Sequence, residues 1–227
     1  MSLKPPLKEK KKKIVVVDDH PIIRQGFAQL IHQEEDLLFA GEAGDAIEAL
    51  QVIGKVEPDL VIVDISLTGT SGIELTKSIL SLYPKMLILV VSMYDESLYV
   101  ERALRAGAKG YLMKQEATQK IILALRKILN GEIYVSEQMR DDLVHKLING
   151  THAPAATVSP ESLSDREFEV LQLVAQGHST RQIAGELHVS IKTVESHYAN
   201  IKNKLNLKNS HELIQYAVKW CFSEKHP

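Results

Sequence analysis

Asp59-Leu60-Val61-Ile62-Val63-Asp64 begins and ends on a carboxylate, with four unbroken apolar residues between. Such a run suits a strand buried on both faces of a parallel sheet. It delivers Asp64 at the strand's carboxyl end. A second run, Ile14 to Val17, ends in Asp18 and Asp19. In one parallel sheet these ends share an edge, where open α/β sheets place their ligand sites. Three carboxylates would meet there, which makes a poor core and a good place for a hard cation.

Outward from these two strands, the pattern alternates over the first 130 residues. Strands are expected at 13–17, 37–42, 60–63, 86–91 and 110–113, and helices at 24–33, 46–55, 72–81, 98–106 and 118–129. This rhythm predicts a five-stranded parallel sheet with helices on both faces, an α/β domain. Its strand ends then offer Asp18 and Asp19, Asp64, Ser92 and Lys114 as a set. A carboxylate nucleophile, an acidic pair for a divalent cation, a hydroxyl and an ammonium suit phosphoryl transfer to a carboxylate. Asp18, Asp19 and Asp64 would hold Mg²⁺ together with the backbone carbonyl of Ser66, and Lys114 would meet a phosphoryl oxygen as a point charge. Taken singly, each residue has a plainer role as a turn, a cap or a solvated charge. Their joint arrival at the right strand ends favours the site.

These residues resemble the receiver domain of two-component response regulators. The resemblance rests on Val15 to Asp19, Asp64, Val90 to Ser92 and Gly110 to Lys114, and covers about residues 13–130. It implies a flavodoxin-like sheet of order 2-1-3-4-5, Asp64 as phosphoacceptor, Ser92 as switch hydroxyl, Lys114 as the conserved-type lysine and Tyr111 as the ring that changes rotamer. Two positions depart from the family. The usual Met-Pro after the acceptor is Leu67-Thr68, and the proline that often follows the lysine is Gln115. Neither removes a chemical group; they bear on loop geometry and phosphate lifetime.

The remaining composition sets bounds. A chain of 227 residues suggests two domains, and 44% hydrophobic with 25% charged residues is ordinary globular usage. A net charge of −2 announces no nucleic-acid binder. The lone cysteine, Cys221, excludes an internal disulfide and suits a reducing, cytoplasmic setting. Apolar runs are too short for a membrane span. Residues 1–12 form a basic tail, followed by a receiver over 13–130. Residues 131–162 make a connector, with a short helix near 136–148 and then proline-bearing linker sequence.

Residues 163–227 signal an all-α unit through their caps. Ser164-Asp165-Arg166-Glu167 is a capping box, with Leu163 and Phe168 spaced as a hydrophobic staple, and Gly177 ends that helix. Ser179, Ser190 and Asn209 open three more. The second and third have helix-turn-helix dimensions. On the third, Val194, Tyr198, Ile201 and Leu205 form the buried stripe. Lys192, Ser196, Ala199 and Asn203 face the other way, flanked by Glu195 and Lys202. Over 192–208, four lysines less one glutamate leave +3, a local patch able to meet phosphates.

The strings Leu163 to Leu171, Gly177-His178-Ser179, Ile183-Ala184 and Ser190 to His197 resemble the LuxR-type helix-turn-helix. That resemblance implies a four-helix DNA-binding domain with residues 192–204 in the major groove, and Lys192, Thr193, Glu195, Ser196, Ala199, Lys202, Asn203 and Lys204 as its contacts. A receiver followed by this domain resembles NarL/FixJ-type response regulators. The resemblance implies a phosphorylation-controlled transcription regulator with a histidine kinase partner. It also implies paired DNA half-sites and a homodimer when phosphorylated, with self-dephosphorylation as the only turnover. Two rivals follow from the same residues: a magnesium-dependent phosphatase using Asp64, and an adaptor whose helical domain binds protein.

Overall fold

The computed structural model describes residues 10–94, 96–149 and 160–225. Most of the basic tail and the middle of the linker, residues 1–9 and 150–159, lie outside the described residues.

Five strands, β1 (Lys12–Val17), β2 (Leu37–Ala43), β3 (Leu60–Asp64), β4 (Leu87–Ser92) and β5 (Gly110–Met113), form one parallel sheet of order β2-β1-β3-β4-β5. Alternate residues of the central strands serve opposite faces. Ile14, Val16, Leu60, Ile62, Leu89 and Val91 pack with α1 (Pro21–His32) and α5 (Lys114–Leu129). Val15, Val17, Val61, Val63, Ile88 and Val90 face α2 (Ala46–Val56), α3 (Gly72–Leu82) and α4 (Glu96–Arg105). Both sets are fully buried, which explains why β1 and β3 read as continuous apolar runs.

Three helices begin earlier than the apolar periodicity alone suggests, α4 by two residues at Glu96. α1 starts at Pro21, where a fixed φ and a missing N–H suit the first helical position. α5 starts at Lys114, four residues ahead of the expected 118. A proline after Lys114 would bias it away from helical geometry. Gln115 imposes no such restraint, so Lys114 is itself the first helical residue.

The connector's beginning is tied to the α/β domain. Tyr134 pairs with Gly110 at the β5 edge, donating to Lys109 O and accepting from Tyr111 N. Ser136 N donates to Glu96 of α4 at 2.9 Å, and Ser136 Oγ caps α6 (Glu137–Asn149). After the linker, a 3₁₀ turn at Pro160–Ser162 leads into α7 (Asp165–Ala175), α8 (Thr180–Glu186), α9 (Ile191–Lys204) and α10 (Ser210–Lys225). The caps at Ser164, Ser179 and Ser190 are all formed, the first two as reciprocal capping boxes. Gly177 closes the turn after α7 at φ 84, a left-handed conformation that costs glycine little.

Gly72 is a steric requirement of the acceptor loop. A Cβ there would lie 1.8 Å from Asp64 O. Gly72→Ala is expected to destabilise the protein by about 2–4 kcal/mol, read as a lowered thermal midpoint of the α/β domain.

Candidate functional site

The carboxyl edge of the sheet gathers the acidic residues as a consequence of register. β1 and β3 are direct neighbours, with Val17 opposite Val63, so the next residues, Asp18 and Asp64, leave the sheet side by side. β5 reaches the same edge one strand beyond β4 and hands over to Lys114. Lys114 Nζ lies 2.7 Å from Asp18 Oδ2 and 2.8 Å from Asp64 Oδ2, with all three side chains buried. Oxygens of Asp18, Asp19 and Asp64 and a nitrogen of His20 fall within 4.8 Å of one another. Three carboxylates make an oxygen-rich donor set that fits a hard divalent cation. Ser66 stands beside them, with its backbone bridged to Ser71.

Burial is the first cause pushing the Asp64 carboxyl up, to about 6; Lys114 pulls against it, and Asp18 and Asp19 add to the rise. For Lys114 burial acts downward, but Asp64 and Asp18 outweigh it and hold the ammonium above its usual range. At neutral pH the Asp64 carboxyl is therefore mostly ionised. Its charge is offset by a single fixed cation.

Ser92, fully buried at the end of β4, accepts a hydrogen bond from Tyr94 N at 3.0 Å. It is not engaged with Asp64. Tyr111 is fully buried, and its hydroxyl donates to Tyr94 O at 2.9 Å. Tyr94 thus links the hydroxyl, the ring and, through its own side chain, Ser66.

Sequence reasoning missed several groups around this pocket. His20 Nδ1 lies 2.7 Å from Asp19 Oδ1, and Thr68 Oγ1 donates to Asp19 Oδ2 at 3.0 Å. Arg24 holds the Asp18 carbonyl at 2.7 Å. Neighbouring charge was visible in the sequence for His20 and Arg24, but no motif marks Thr68.

The docking of the helical domain was also invisible. α7 is buried on all sides: Val170, Leu171 and Val174 face its own domain's core, while Asp165, Phe168, Glu169 and Gln172 form a second buried stripe at i, i+3, i+4 and i+7. Phe168 packs edge-on to Tyr99 of α4 at 5.2 Å, and Tyr99 stacks on Tyr94 at 5.0 Å. Arg102 lies 3.9 Å over the Phe168 ring and bonds Asp165 Oδ1 and the carbonyls of Leu163 and Pro160. Lys77 of α3 meets Asp165 Oδ2 at 2.6 Å. At the pocket itself, His188 in the α8–α9 turn brings Nε2 to 3.7 Å from Asp19 Oδ2.

The expected groove-facing residues are bare. Lys192, Glu195, Ser196, Ala199 and Asn203 are exposed, with Thr193 and Lys202 partly so. Lys204 is engaged with Glu167 at 2.7 Å inside the domain. That ion pair draws it away from a phosphate role. Val194 and Ile201 are fully buried beneath this face and Leu205 nearly so, with Tyr198 partly buried.

The fold and the acidic edge define a receiver joined to a helix-turn-helix unit, and comparison with known proteins agrees. The family model for the response regulator receiver domain matches residues 14–126, and that for bacterial regulatory proteins of the luxR family matches residues 161–217. The chain belongs to the two-component response regulators with a LuxR-type DNA-binding domain. It is 40% identical over 210 residues to the oxygen regulatory protein NreC of Staphylococcus carnosus, covering 91% of this chain and 97% of that protein. RcsB of Salmonella enterica serovar Typhimurium, solved on promoter rprA with the phosphomimetic BeF3-, is 27% identical with a TM-score of 0.59, covering 92% of this chain and 98% of that one. A LuxR-family response regulator from Aurantimonas sp. SI85-9A1 is 32% identical with a TM-score of 0.57, covering 61% of this chain and 99% of its own. The chain is a phosphorylation-controlled, DNA-binding transcription regulator. Among the described residues no helix is long and apolar enough to cross a membrane.

Arg102 contributes the largest share of polar contacts between the two units. Arg102→Ala is expected to weaken their docking by about 1–3 kcal/mol. Trp220, the sole tryptophan, packs on Phe168 at 5.3 Å, so its emission should shift in the variant.

Proposed function

We propose that Asp64 accepts a phosphoryl group from a histidine kinase, and that Asp18, Asp19, Asp64 and the Ser66 carbonyl hold Mg²⁺ for this step. The observation that carries the proposal is the buried pairing of Lys114 with both Asp18 and Asp64 at a sheet edge that also holds Asp19. An Asp64 carboxylate oxygen attacks phosphorus as the bond to the kinase's histidine nitrogen breaks. Lys114 then shifts its charge toward a phosphoryl oxygen. The cation, when bound, supplies neutralisation for the incoming phosphoryl charge. Ser92 leaves Tyr94 N to donate to the new phosphate, and Tyr111 follows. Slow hydrolysis of this acyl phosphate is the only turnover expected, in a cytoplasmic protein.

Residues 13–130 act as the receiver, 131–162 as connector and 163–227 as the DNA-binding unit. The docked arrangement is the resting state. Its support is that α9 is already exposed while the α8–α9 turn stands over the acceptor pocket. Phosphorylation therefore acts by parting the domains and permitting homodimer formation, not by uncovering the recognition helix. The signal runs from Ser92 through Tyr94 and Tyr99 to Phe168. A dimer would read two half-sites about one helical turn apart, with Lys192, Thr193, Glu195, Ser196, Ala199, Lys202 and Asn203 at the groove.

Two measurements test this. With a small phosphodonor and Mg²⁺, intact mass should show one added phosphate on the wild type and none on Asp64→Ala, with only the former changing its sedimentation. Phosphate on both would move the nucleophile elsewhere. Lys202→Ala should weaken duplex binding across sequences and lower the salt slope by about one; unchanged binding would favour the adaptor reading.

A further inference from the structure

We propose that Thr68 is a positioning residue for the cation site, setting the orientation of Asp19 from across the pocket. The inference rests on the reading of Asp18, Asp19 and Asp64 as that site. Thr68 stands where the usual family sequence has proline, a residue with no hydroxyl to offer. Here Thr68 Oγ1 donates to Asp19 Oδ2 at 3.0 Å. His20 Nδ1 lies 2.7 Å from the other oxygen, Oδ1, without a hydrogen bond to it. Among the described residues, Thr68 is therefore the donor that holds the Asp19 carboxylate, reaching it from the loop after β3.

That loop is built to present the hydroxyl. Leu67, next to Thr68, is 1% exposed and anchors the loop in the core. Ser66 and Ser71 are bridged, Gly72 N donates to Ile65 O at 2.7 Å, and Gly69 turns the chain at φ 83. Thr68 itself is exposed, so its side chain is not held by packing. Its hydrogen bond joins the β1–α1 loop, which supplies Asp19, to the β3–α3 loop, which follows Asp64 and supplies the Ser66 carbonyl. A partner that fixes a ligating carboxylate lowers the cost of assembling the site. The Leu67-Thr68 departure thus adds a group to the site instead of merely altering its loop.

The test is Mg²⁺ affinity of the full chain by calorimetry, repeated with Mn²⁺ by paramagnetic resonance, for wild type, Thr68→Val, Thr68→Ala and Thr68→Ser. Valine keeps the shape and removes the hydroxyl; serine keeps the hydroxyl. Because the hydroxyl is exposed, the expected loss falls somewhat below the roughly 10-fold lower end for outer partners of metal ligands, about 5-fold for valine and alanine. Serine should stay within about twofold of wild type on the same ground. If valine or alanine binds as tightly as wild type or tighter, the role of Thr68 is overturned while the cation site stands. Equal weakening in serine and valine would assign the effect to loop packing and overturn it too. No binding of either ion by wild type would overturn the cation site itself.

Discussion

Everything at the carboxyl edge follows from placing ionised groups at the end of strands that are buried on both faces. Asp18 and Asp64 have no choice of position: they are the residues after Val17 and Val63, which sit opposite each other in the sheet. With fully buried neighbours on both sides, the pair shares one ammonium, Lys114. One positive charge is shared by two buried carboxylates with a third close by, and burial, with Asp18 and Asp19 adding to it, raises the Asp64 carboxyl against the pull of Lys114. A divalent cation would oppose that rise, and a phosphoryl group would draw Lys114 off. The pocket is therefore responsive to ligands because its own charges are incompletely balanced.

The same edge explains why the second domain senses the first. β4 ends at Ser92, and Tyr94, two residues on, is stacked against Tyr99 of α4. Ser92 holds the Tyr94 N–H, and Tyr94 is one ring away from the Phe168 contact. Glu96, on the first turn of the same helix, holds the backbone of Ser136 and hence the start of the connector. α4 thus touches the switch, the docked domain and the connector together, and its repositioning would be felt at all three.

Much of this was legible in the sequence because it is written in local patterns. Unbroken apolar runs marked β1 and β3, heptad-like spacing marked the buried stripe of α9, a capping box marked the start of α7, and serine caps marked the starts of α8 and α9. The chemistry of the acidic edge could be inferred because parallel strands force their carboxyl ends together. What stayed hidden depends on contacts between segments far apart in the chain. Phe168 and Leu163 read as a helix staple, and the staple spacing says nothing about Tyr99 or Arg102 on the other domain. Asp165 and Glu169 look like exposed charges in the first two turns of α7, yet both are buried, because the face opposite their own core is covered by the receiver. Thr68 was marked only as a departure in the loop after Asp64, and nothing in the sequence points its hydroxyl at Asp19. The start of α5 was misjudged because Lys114 was weighed for its charge, whereas its backbone was freed by Gln115.

The composition of the docked face sets how strongly it can hold. Lys77 is half exposed, so its pairing with Asp165 is worth about 0–1 kcal/mol. Arg102 over Phe168 and the Tyr99–Phe168 contact add about 1 kcal/mol each. Against them, the fully buried Tyr99 hydroxyl and Gln172 amide find no hydrogen-bond partner among the described residues. Each such group costs about 1–3 kcal/mol. Glu169 is buried as well, and burial holds its carboxyl above the usual range despite Arg166 and Ser71. These polar contributions are of similar size, and the burial of Tyr99 and Phe168 and the Arg102 bonds to Asp165 and two carbonyls add to the favourable side. Because docking places His188 at Asp19, any coupling between docking and ligands at the acidic pocket would be reciprocal, each shifting the other by the same factor.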